Sequence, residues 1–129
     1  MREAERYVAN LGLGAPLEAS DRAWALEVCA QDPISNVFVA ARILESGLSG
    51  ARPVAYGYDH GGHESICWAS ANIVPASADS AAIAAFSAKV MKRRRTASSV
   101  FGPAEQVKEL WSRLARRGSR GVNTDALNR

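Results

Sequence analysis

Two histidines and two carboxylates fall within six residues, Asp59-His60-Gly61-Gly62-His63-Glu64. Imidazole nitrogens and carboxylate oxygens are zinc ligands, so this run is the first place to look for a metal. The chain has no other histidine, and no cysteine lies close by in sequence. The two glycines are also what a hairpin turn requires. A solvated hairpin tip accounts for the run, and no metal is expected. Cys67 would need a neighbouring base to act as a nucleophile. It lies in an apolar context that suits a packed thiol, as does Cys29 beside Val28. Tyr56 and Tyr58 share one strand face, where they could offer a phenol to a pocket or pack half-buried with a wet tip. Ser70 and Asn72 interrupt an apolar strand, so they either satisfy backbone groups or face a cleft. Ser98 and Ser99 are placed at the C-terminal end of a parallel strand, the usual crevice region. Close helix packing explains such small residues equally well. No catalytic or cofactor-binding residue follows from these groups.

The stretch Glu64 to Pro75, followed by Ala76-Ser77-Ala78-Asp79, reads as one long buried strand that ends at the proline and turns into a helix. A helix N-terminus presents unpaired N–H groups and a partial positive charge, so anions often sit at such junctions. Here the chemistry opposes a phosphate. No glycine or basic residue lies between Ala69 and Ser80, and Asp79 places a negative charge in the first turn.

The surrounding pattern gives the elements that would hold these groups. Residues 11–17 suggest an irregular first strand. Ser20 or Asp21 can cap a helix running to about Gln31, with Trp24, Ala25 and Val28 inward. Asp32-Pro33 restarts a helix, with Ile34, Val37, Phe38, Ala41 and Leu44 at helical spacing and Gly47 as the stop. Val54, Tyr56 and Tyr58 alternate as a strand, followed by the 59–63 turn. The 64–74 strand places Ile66 and Trp68 on one face and Cys67, Ala69, Ala71 and Ile73 on the other, which requires cover on both sides. Ser77 or Asp79 begins a third helix with Ile83, Phe86 and Val90 inward. Residues 96–101 form a short strand, and Gly102-Pro103 opens a fourth helix with Val107, Leu110, Trp111 and Leu114 on one stripe. The order is (β)ααββαβα. Strand, helix and strand in succession imply one parallel pair with a right-handed crossover. The expected core is a single cluster of Ile66, Trp68, Val37, Phe38, Ile83, Phe86, Leu110 and Trp111, with Trp111→Ala costing about 3–5 kcal/mol.

At 129 residues the chain is the size of one domain, and 47% hydrophobic with 22% charged residues is ordinary for a globular protein. No apolar run reaches the ~20 residues that cross a bilayer. The mixed-charge N-terminus lacks an apolar signal segment, and the two distant cysteines fit reduced thiols, so a cytoplasmic protein is expected. Thirteen arginines against three lysines, with abundant alanine, fit a high-GC bacterial genome. The net charge of +3 divides into −4 over residues 1–90 and +7 over 91–129. Lys92 to Arg95 stand where the third helix should end, a position that favours cations. The alternative for this basic region is an acidic or nucleic-acid partner.

Four segments in this order are similar to one family: Asp32-Pro-Ile-Ser-Asn-Val-Phe-Val39, Tyr56-Gly-Tyr58, Ser70-Ala-Asn-Ile-Val-Pro75, and Ser98-Ser-Val-Phe-Gly-Pro-Ala104 followed by Leu110-Trp111. Over residues 12–117 the chain resembles the N-terminal, GNAT-like domain of unknown function in actinobacterial two-domain GNAT-type N-acetyltransferases. The resemblance implies a GNAT-like mixed sheet with helices on both faces. Catalytic GNAT domains carry Gln/Arg-x-x-Gly-x-Gly/Ala after the central strand, and its amides hold the pyrophosphate of acetyl-CoA. The corresponding stretch, Val74-Pro-Ala-Ser-Ala-Asp79, lacks the basic residue and the glycines, and Pro75 removes a donor. No acetyl-CoA contact therefore transfers to any residue of this chain.

The expectation is a non-catalytic GNAT-like domain over residues 1–117 with an unpatterned tail over 118–129. Its last strands are missing, as in a truncated chain. No cofactor is expected, and whether the chain is an enzyme is left open. Its partner would be a catalytic GNAT domain or a second copy, since an unpaired edge at 96–101 invites self-association. Neither a membrane nor nucleic acid is an expected partner. The alternatives are a stand-alone acetyltransferase and a small binder of nucleic acid or an acidic partner.

Overall fold

The computed structural model describes residues 14–93 and 96–117. Strand β1 (Ala15–Pro16) leads through a 3-10 turn (Ala19–Asp21) into helices α1 (Arg22–Ala30) and α2 (Val37–Ser46). Strands β2 (Ala55–His60), β3 (His63–Ala69) and β4 (Asn72–Ala76) follow, then helix α3 (Ser80–Val90), strand β5 (Ser99–Val100) and helix α4 (Ala104–Arg117). The five strands form one mixed sheet in the order β1-β2-β3-β4-β5. The first three pairings are antiparallel, and β4 pairs with β5 in parallel, Asn72 beside Ser99 and Ile73 beside Val100. This mixed α/β sheet with four helices among the described residues is consistent with a GNAT-like fold.

Helices cover both faces of the sheet, which explains why β3 and β4 are apolar on both sides. On one face α1 and α2 bury Val28, Val39 and Ile43 against Ala55, Ile66 and Trp68. On the other α3 and α4 bury Phe86, Leu110 and Leu114 against Tyr58, Cys67 and Ile73. The side-chain alternation read from the strand holds for Ile66 and Trp68 against Cys67, Ala69 and Ile73, but Ala71 is exposed between strands and the expected single cluster does not form. It divides into two because the sheet stands between Ile66 and Trp68 on one side and Ile83, Phe86 and Leu110 on the other. Trp111 is half-buried at the edge of the second layer, whereas Leu110 and Leu114 are fully enclosed.

The long strand expected over 64–74 is two strands. Ala69 pairs with Ile73, and the chain reverses through Ser70 and Ala71, with the Ser70 N–H donating to the Asn72 carbonyl at 3.0 Å. The turn carries neither glycine nor proline, so composition concealed it. The β4 strand also continues through Pro75 to Ala76. Its hydrogen bonding to β5 is confined to its first residues, up to Phe101 N–H on the Ile73 carbonyl at 3.1 Å. Pro75 falls beyond them, on a side where a missing N–H leaves no gap in a ladder.

Helix α2 also faces the opposite way from its expected stripe. Its inward side is Asn36, Val39 and Ile43, while Ile34, Val37 and Leu44 are 87%, 63% and 56% exposed. The expected start at Asp32-Pro33 is instead a single turn, closed by Asn36 N–H on the Asp32 carbonyl at 3.0 Å; the helix itself begins at Val37 and ends at Gly47 in the left-handed conformation. Asp79 caps α3 and α4 follows Pro103, as expected, whereas the strand expected over 96–101 shortens to Ser99–Val100 and α3 ends at Val90, before the basic run. Of the proposed first strand, residues 11–13 lie outside the described residues, as do Arg94 and Arg95 of the basic run and the 118–129 tail.

Candidate functional site

The most constrained polar region is the junction between β4 and α3. Ser77 has φ +59°, a conformation that costs a serine energy and persists only where neighbours hold it. Three side chains do so. The Ser77 carbonyl accepts from His63 Nε2 at 2.7 Å and from Ser65 Oγ at 2.8 Å, and its hydroxyl oxygen accepts from Asn36 Nδ2 at 3.0 Å. Asn36 is fully buried at the start of α2 and also reaches the Cys29 carbonyl at 3.4 Å. A carbonyl can only accept, so His63 Nε2 carries its proton and points at backbone, with Asp79 Oδ2 4.0 Å away. This histidine fastens the junction.

Three of the amides here are already engaged. Ala78 N–H donates to Gln106 Oε1 at 3.0 Å, Ala82 N–H to the Asp79 carboxylate at 2.9 Å, and Ile83 N–H to the Asp79 carbonyl at 2.8 Å. Ser80 Oγ donates to Glu109, and Glu109 pairs with Arg113 at 3.0 Å. The Ser80 hydrogen bond, then Arg113, hold the Glu109 carboxyl below the usual range despite partial desolvation. Asp79, Glu105 and Glu109 line the groove of about 570 Å³ between α3 and α4, together with Lys108 and Arg116.

This arrangement does not fit the pyrophosphate of acetyl-CoA. A diphosphate needs several convergent amides and favours nearby cations. The groove instead sets three carboxylates against the two cations Lys108 and Arg116, beside a helix start whose Ala78 and Ala82 donors are spent. Beyond the parallel pairing, Gly102 lies so close to β4 that an added Cβ would stand 3.4 Å from the Pro75 carbonyl oxygen. Glycine there permits a φ of +139° and keeps the strand ends packed together.

The other sequence candidates separate. His60 pairs with His63 across the Gly61-Gly62 turn, as expected of a hairpin, but its side chain points to solvent while His63 turns to Ser77. Among the described residues no three His, Cys, Asp or Glu side chains converge where a metal could be held. Burial pushes the Cys29 thiol up to about 11 and Cys67 higher still, so neither supplies a thiolate at neutral pH. Tyr56 and Tyr58 are buried against α3, with Tyr58 edge-on to Phe86 at 6.3 Å. Ser70 and Asn72 belong to the β3–β4 turn, and Asn72 Nδ2 donates to Ser99 Oγ at 2.8 Å. Ser98 and Ser99 therefore stand at the start of β5, the end opposite to the crevice. The residues that shape the junction, Asn36, Gln106 and Glu109, were not singled out from sequence. The only signal was the spacing of Gln106, Glu109 and Arg113 along one polar face of α4.

Fold and junction together define a mixed α/β domain with a parallel strand pair and a closed strand-to-helix turn. The family model described as domain of unknown function (DUF4081) matches residues 54–125, more than half of the chain, and the chain belongs to that family. No curated protein and no solved structure matches it. No helix among the described residues is long and apolar enough to cross a membrane.

Proposed function

We propose that this chain is a non-catalytic, GNAT-like domain of the kind that accompanies the catalytic half of an acetyl-CoA-dependent N-acetyltransferase. One observation carries the reading: the junction at which a GNAT enzyme would hold its cofactor has its Ala78 and Ala82 amides bonded to Gln106 and Asp79 and carries three carboxylates against two cations. A domain so built keeps the sheet and the crossover helix while giving up the diphosphate site. Its part is to pack against a catalytic domain. Lys92 and Arg93 follow the last turn of α3, and Arg93 Nη2 donates to the Pro53 carbonyl, which supports a helix-end role for this basic stretch over a polyanion site.

Isothermal titration of the full chain with acetyl-CoA is the test. No saturable heat and no rise in melting temperature are expected at millimolar ligand, since a ligand that binds only the folded state must raise it. A micromolar dissociation constant that is lost on altering Ser77 or Ser80 overturns the proposal and favours the alternative of a stand-alone acetyltransferase.

A further inference from the structure

We draw no further inference here: the strongest candidate, the exposed apolar face of Val37, Ala41 and Leu44 on α2 with Ile34 in the turn before it, carries nothing because nothing in the structure shows what covers it.

Discussion

Asp59 stands directly opposite Glu64 across β2 and β3 and is almost completely buried. Burial, and then the charge of Glu64, hold its carboxyl above the usual range, with His60 pulling weakly the other way. Glu64 is the better served of the two, accepting from Trp24 Nε1 at 3.1 Å and Gln31 Nε2 at 2.9 Å. The unfolded chain titrates Asp59 near ~3.9, so the folded state binds this proton more tightly than the unfolded state does. The favourable contribution is full below that value and is lost as pH rises through the folded pKa. Asp59→Asn keeps the shape and removes the charge. It should stabilise the protein at pH 7 by up to about 1 kcal/mol, the scale of a like-charge cross-strand pair. Thermal melts at pH 7 and pH 4 check this. The gain should shrink at the lower pH, and an equal gain at both would rule out the electrostatic cause.

Helix α4 shows at the element scale how position, more than residue size, decides the cost of truncation. Leu110 and Leu114 are fully enclosed by the α3 layer, whereas Trp111, one residue along, is half-buried. Leu110→Ala should cost about 2–5 kcal/mol, and Trp111→Ala less than Leu110→Ala in spite of its bulk. Urea unfolding of both variants measures the difference, and the reverse ranking would mean that the helix docks in another rotation. The same ambiguity of rotation limited the reading of α2 from sequence. That helix and the turn before it carry two apolar sets, Val39 with Ile43 and Ile34 with Val37 and Leu44, and periodicity cannot say which one the sheet receives. Asn36 decides it in the structure by reaching inward to Ser77, a contact 41 residues away in sequence. The β3–β4 turn was hidden for a different reason: Ser70 and Ala71 give none of the usual turn signals. By contrast, the Gly61-Gly62 hairpin, the Asp79 cap and the Gly47 stop were legible because each rests on local backbone chemistry.

For the whole molecule, the legible part was the class. Helices on both faces, a strand apolar on both sides and one parallel pair all followed from alternation and element order. The division into two cores did not, because one-dimensional pattern assigns residues to an inside without saying which side of the sheet that is. The junction was half legible. Its lack of glycine and its acidic cap were visible, but the engagement of its amides by Gln106 and its bracing by His63 and Ser65 depend on residues brought together by the fold.

The sheet also joins two kinds of connection. Strands β2, β3 and β4 form a meander within residues 55–76, closed by a two-glycine hairpin and a tight turn, while β5 reaches β4 only after the chain has passed through α3. Short loops close at little entropic cost, and hairpins form in microseconds. The parallel pair has to wait for a longer excursion, as non-local pairings generally do. The meander is therefore the natural nucleus, and β5 with α4 should join after the rate-limiting step. In stopped-flow kinetics, Ile66→Val should mainly slow refolding, whereas Leu114→Ala should mainly accelerate unfolding. An order in which the α4 variant slowed refolding more than the β3 variant would place the crossover, not the meander, at the barrier. On the expected order, the edge carrying β5 is the last part of the sheet to close during folding and the first to open in thermal excursions from the native state.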